Sequence, residues 1–203
     1  MLRPTLFLLF AGVLQIVSAH FELNYPATRG FDETKEPTFP CGGFDTVQTR
    51  TQVPLKNAFV EINSGHTSYS YVVNVVAKND PATADFSTAS ELVQVSSGTR
   101  SYPQAACLSL NLSNSTSITN GTNATIQVIF NGGDGLLYQC TDVMFVDSAP
   151  QFNQSMCVNA DGSSTVAASG SSPAVDAKEG KAPSVTVSSS FLLFVIVCVY
   201  ITV

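Results

Sequence analysis

Tryptophan is absent from this 203-residue chain, and histidine occurs only twice. Polysaccharide-binding faces commonly present aromatic rings, so the missing tryptophan counts against a broad sugar platform. Basic residues are scarce too: nine Lys and Arg face fifteen Asp and Glu, for a formal charge of −6. That balance leaves no basic footprint for nucleic acid and suits a soluble extracellular protein. No apolar run reaches the roughly 20 residues that a transmembrane helix needs. The five cysteines form no C-x-x-C pair, which argues against zinc. "GGDG" lacks the Lys-Ser/Thr of a phosphate loop. Long stretches of 3.6-residue period are missing as well, so helix is limited to a turn or two.

What is present reads as processing signals around one domain. Residues 1–19 carry Arg3, the apolar run "LFLLFAGVLQIV" and then "VSA", the layout of a secretory signal peptide cut before His20. At the other end "FLLFVIVCVYITV", residues 191–203, is apolar to the last residue and follows "GKAPSVTVSSS". This arrangement predicts a GPI-attachment signal over 181–203, exchanged for a lipid anchor at Gly180. Residues 159–180 are Ser, Ala and Gly with little apolar content, and read as a disordered stalk. The mature domain, 20–158, is long enough to bury a core of its own.

Within that domain short apolar segments alternate with turn clusters. "FVEINSG", "SYSYVVNVVAK", "ELVQVSSG", "ACLSLNLS", "ATIQVIFNGG" and "LLYQCTDVMFV" are rich in Val, Ile, Phe and Tyr at period two. Strands at such spacing predict an all-β, immunoglobulin-like or fibronectin-like sandwich. Most of the mature tyrosines (Tyr25, Tyr69, Tyr71, Tyr102 and Tyr138) fall on these segments and are expected in the core. Asp32, Glu33 and Glu36 lie in a Pro-flanked polar stretch and are expected to be solvated. Sequons occur at Asn111, Asn114, Asn120, Asn123 and Asn153, four of them crowded into an expected inter-strand loop. Discounting Cys198 with the tail leaves four cysteines for two disulfides in an oxidising compartment. Three pairings are open; the one adopted as the expectation is Cys41 with Cys140 and Cys107 with Cys157.

The two histidines supply the chemistry. Cleavage before His20 would expose an α-amine next to an imidazole, and amine plus ring Nδ1 close a chelate on one metal ion. His66, in "NSGHTSYSY", offers a second imidazole. A tetragonal set of nitrogens suits Cu(II), which heads the divalent affinity order. The amine, with an ordinary pKa of about 7.7–8, deprotonates readily when copper competes for it. With both histidines placed in this site, no Ser-His-Asp relay is credible.

A resemblance sharpens this reading. "HFELNYPATRGFDETKEPTFPCGGFD", "SGH" and "GGDGLLYQCTDV" together resemble the fungal copper-binding proteins related to lytic polysaccharide monooxygenases. The similarity is to their small, GPI-anchored branch, the Bim-type copper acquisition factors, and covers roughly residues 20–158. The resemblance implies a histidine brace: His20 gives its α-amine and Nδ1, His66 its imidazole, and an aspartate enters the site. Asp134 in "GGDG" is favoured over Asp142 in "CTDV", because the equivalent strand starts at the copper face and runs away from it. A carboxylate there stabilises Cu(II) over Cu(I) and fills a position oxygen would need. The expectation is therefore one Cu(II) per domain, no enzymatic activity, and a surface role in copper homeostasis beside a copper transporter. A copper monooxygenase on wall glucan or chitin, and a metal-free structural wall module, are the alternatives.

Overall fold

The computed structural model describes residues 20–113 and 115–163. The expected signal peptide, Asn114, residues 164–180 of the expected stalk, Gly180 among them, and the expected GPI-attachment signal lie outside the described residues, whereas residues 159–163, also expected in the stalk, are described. Eight strands form among the described residues: β1 (Phe21–Tyr25), β2 (Thr51–Pro54), β3 (Phe59–Ser64), β4 (Tyr69–Val76), β5 (Leu92–Arg100), β6 (Gln104–Ser109), β7 (Thr122–Asn131) and β8 (Leu136–Val146). Helix amounts to single 3-10 turns at Thr83–Phe86 and Gln154–Met156 among the described residues. A three-stranded sheet ordered β1-β3-β6 packs on a five-stranded sheet ordered β2-β8-β7-β4-β5. The chain is an all-β sandwich.

Period two decides which side chains meet between the sheets. From β1 and β3 come Phe21, Leu23, Val60 and Ile62; from β7 and β8 come Ile126, Val128, Phe130, Leu137 and Val143, all buried in one cluster. Tyr69 and Tyr71 join them. The short strand β2 pairs parallel with the end of β8 through Thr51↔Val143 to Pro54↔Val146. Its four residues alternate too little to announce a strand, and its proline is tolerated because β2 is an edge.

The outer face of the large sheet is polar but dry. Asn74, Thr125, Gln127 and Asp142 are all buried there. The segment between β1 and β2 lies over them and supplies partners. Gln127 donates to the Pro40 carbonyl at 2.9 Å and accepts from Asn74 at 3.2 Å. Arg29 N–H donates to the Cys140 carbonyl at 2.8 Å, and Tyr138 N–H to the Glu36 carbonyl at 2.9 Å. A disulfide joins Cys41 to Cys140 and locks this cover onto β8. Gly42, at φ +63°, sits so close to β8 that a Cβ would meet the Tyr138 carbonyl at 2.6 Å, which explains glycine in "PCGGF".

The second disulfide, Cys107–Cys157, ties the C-terminal segment to β6. The Asn159 side chain accepts from Cys107 N–H at 2.8 Å, and Ala160 N–H donates to the Ala105 carbonyl at 2.8 Å. The segment thus runs along β6 toward Gln104, which pairs with Ser64 near His66. The described sequons occupy the opposite end. Asn111 follows β6, Asn120 accepts from Asp147 N–H, Asn123 is the second residue of β7 rather than part of the expected loop, and Asn153 N–H donates to the Tyr25 hydroxyl.

The two disulfides close loops of 99 and 50 residues. Each is expected to contribute about 2–5 kcal/mol, largely by restricting the unfolded chain. Replacing either cysteine pair by alanine should lower the urea midpoint accordingly, read by intrinsic fluorescence of the tyrosines. Unchanged midpoints in both pairs would contradict the assignment.

Candidate metal centre

Strand register brings the two histidines to one end of the small sheet. Phe21 pairs with Ser64, so His20, one residue before, and His66, two residues beyond, lie at the same end of the β1–β3 pair. Ser64 is buried, and its hydroxyl accepts from His66 N–H at 3.0 Å, fixing the turn that carries the ring. The floor is aromatic: Phe130 stacks on Phe21 with centroids 4.8 Å apart, and lies 4.7 Å from Tyr69 and 5.9 Å from His66.

The His66 Nε2 atom is buried and makes no hydrogen bond. Its ring fills the room that Gly132 leaves by having no side chain: a Cβ there would lie 2.6 Å from Nε2. Leaving a buried polar atom unpaired costs on the order of 1–3 kcal/mol. A ring nitrogen kept unengaged at that cost fits a metal donor.

His20 is oriented from the other side. Its Nε2 lies 2.9 Å from the Glu33 main-chain carbonyl. A carbonyl only accepts, so Nε2 carries the hydrogen, and in the neutral ring Nδ1 then holds the lone pair. Nδ1 is the ring atom a brace uses. The carboxylates of Glu33 and Glu36 stand at 3.9 Å from Nδ1 and 3.8 Å from Nε2, respectively.

Glu36 overturns an expectation. Rather than being solvated, it is 1% exposed, because the cover segment folds it under β1. Burial pushes its carboxyl up to about 7 against the opposing pull of the Gln139 hydrogen bond and of His20. Gln139 is the residue that joins these parts. Its Nε2 donates to Glu36 Oε1 at 2.6 Å and to the Phe21 carbonyl, while its Oε1 accepts from Leu23 N–H at 3.0 Å. Phe21 C=O and Leu23 N–H are a strand's natural pair of edge groups, and the side-chain amide occupies the place of a neighbouring peptide. Sequence alternation held a clue to it: in "LYQCTDV" the inward positions are Leu137, Gln139, Thr141 and Val143, and a glutamine among them needs a buried partner.

The two candidate aspartates part company. Asp134 is exposed on the turn between β7 and β8, which is closed by Gly133 N–H donating to the Asn131 side chain at 2.8 Å. This turn also contains Gly132, which abuts His66. Among the described residues no three His, Cys, Asp or Glu side chains converge into a metal-holding group, so Asp134 does not stand with both histidines. A brace needs only two side chains and an amine. Asp142 lies deep on the outer face and is fully committed. Arg29 grips it through Nε at 2.9 Å and Nη2 at 2.8 Å, with Gln48 N–H and the Thr125 hydroxyl at 2.7 Å each. Burial raises its carboxyl, but these bonds outweigh burial and hold it below the usual range.

Comparison with known proteins agrees with the copper chemistry. Residues 18–162 match the family model described as copper acquisition factor BIM1-like. The copper acquisition factor BIM1 of Cryptococcus neoformans var. grubii is 35% identical over 146 residues, covering 70% of this chain and 66% of that protein. Its counterpart from var. neoformans is 36% identical, with 61% of its length spanned. The chain thus spans less than two thirds of both. A lytic polysaccharide monooxygenase-like protein, ham-7 of Neurospora crassa, is 30% identical over 78% of this chain and 79% of its own. Among solved structures, the catalytic domain of a monooxygenase from Listeria monocytogenes aligns with a TM-score of 0.44 at 14% identity, over 63% of this chain and 99% of that one.

Two outcomes follow from the geometry. Gly132→Ala should displace the His66 ring and cost about 1–3 kcal/mol by overpacking, seen as a shifted His66 imidazole signal by NMR. Arg29→Met strands the Asp142 carboxylate and should cost about 3–5 kcal/mol at neutral pH. Because the folded carboxyl is depressed, its contribution is complete above about pH 4 and is lost as pH falls further. Asp142→Asn should flatten that acid limb of the stability curve; an unchanged limb would contradict the ion pair.

Proposed function

Since the chain belongs to the BIM1-like copper acquisition factor family, we propose that it is an extracellular, membrane-anchored Cu(II)-binding protein that gathers copper at the cell surface. Copper is its cargo. The α-amine and Nδ1 of His20 and the imidazole of His66 take the ion, with Asp134 as the carboxylate that enters the set. The observation that carries this reading is the buried, unpartnered Nε2 of His66, set across the β1–β3 pair from His20. The Nε2 contact of His20 with the Glu33 carbonyl supports it, because it puts the ring hydrogen on Nε2 and leaves Nδ1 as the donor nitrogen. Asp134 lies on the exposed turn whose Gly132 packs on His66, which makes it the carboxylate of that turn nearest in sequence to the His66 contact. The carboxylate biases the site toward holding Cu(II) rather than reducing it for oxygen chemistry. On this reading, removal of residues 1–19 creates the amine, Gly180 carries the anchor, and the protein hands copper to a transporter in the same membrane.

The test is a Cu(II) titration of protein with its native N-terminus, followed by electron paramagnetic resonance. One equivalent should bind, with nitrogen hyperfine structure. Placing Gly-Ser before His20, or substituting His66→Ala, should weaken binding by more than the roughly 10–100-fold typical of changes outside the ligand set. Asp134→Ala should alter the spectrum and leave the nitrogens in place. An extended N-terminus that binds copper as tightly as the native one would sink the brace.

A further inference from the structure

Glu36 has a geometry that folding alone does not explain. Its side chain is sealed from water: Oε1 accepts from Gln139 and the Phe21 N–H stands beside the carboxyl, yet Oε2 has no hydrogen-bond partner of its own. Oε2 lies 3.8 Å from His20 Nε2, too far for a hydrogen bond but near enough to respond to positive charge on that ring, which is 27% exposed. A glutamine of the same size would avoid burying half a carboxylate unpaired. Local costs of this sort mark sites kept for function.

We propose that Glu36 is the positioning residue of the copper site, holding the Nε2 edge of His20 and offsetting the charge that the ring acquires when its other nitrogen binds a cation. The inference rests on the functional reading above, in which His20 is a ligand. Coordination at Nδ1 makes the remaining N–H more acidic, and an anion beside it strengthens the ring as a donor. The Glu33 carbonyl takes the hydrogen bond itself at 2.9 Å, so the share of Glu36 is charge and ring orientation. Gln139 ties both effects to the backbone, since the amide that holds Glu36 Oε1 also holds Phe21 and Leu23, next to the ligand.

The experiment compares wild type with Glu36→Gln, both with native N-termini. Glutamine preserves the size and an oxygen for Gln139 while removing the charge. E36Q should bind one Cu(II) with affinity reduced about 10–100-fold in chelator competition. Its Cu(II)/Cu(I) potential should rise and its paramagnetic spectrum shift, while the metal-free protein melts no lower than wild type. Unchanged affinity and potential in E36Q would overturn the proposal. So would an affinity loss matched by a lower melting temperature of the metal-free protein, which marks a structural role. Wild-type protein that takes up no copper sinks the functional reading and this inference with it; wild type that binds beside an indifferent E36Q sinks this inference alone.

Discussion

The amide of Gln139 is the contact on which the candidate centre depends. β1 has five residues and a single strand neighbour, β3, yet it carries His20 at its head. Its other edge would be a row of unpaired main-chain groups facing the interior. One side chain from β8 meets them, reaching across the gap between the sheets to both Phe21 and Leu23. Each such bond contributes only about 0.5–1.5 kcal/mol net, but leaving the groups buried and bare costs more than forming the bonds gains. The position of His20 is therefore set from two directions: laterally by the β3 ladder, and from behind by an amide that also holds Glu36.

The same logic runs on the far face of β8. Thr125, Gln127 and Asp142 point away from the core and would ordinarily be wetted. The cover segment replaces water with Arg29, the Pro40 carbonyl and the Gln48 amide, and the Cys41–Cys140 bridge fixes it in place. A segment that reads as a charged loop becomes a third layer. This layer delivers Glu33 and Glu36 to His20, so the polar face of one sheet and the metal end of the other are parts of one hydrogen-bonded assembly.

Much of this was legible in the residues. Six of the eight described strands, β3 to β8, carry the period-two segments read from the sequence, and β2 escaped because its parallel pairing with β8 leaves no mark in four residues. His20 and His66 were legible because both histidines of the chain sat in telling places: one behind a cleavage pattern, one behind a glycine turn. Glu36 and Gln139 were not. Charge and polarity predict exposure on average, and both residues are buried only because tertiary contacts supply partners that sequence does not show. The carboxylate of Asp142 illustrates the same limit: the resemblance left it as the second candidate for the aspartate of the site, whereas Arg29, 113 positions away, has already taken it.

The course of the C-terminal segment along β6 has a geometric consequence. By the time the chain reaches Ala160 it has returned to the end that holds His20 and His66, while the described sequons sit at the other. β7, ten residues long, spans about 33 Å at roughly 3.3 Å per residue. The last described residues and the two histidines therefore share one end of the sandwich, and the described sequons lie about that length away at the other.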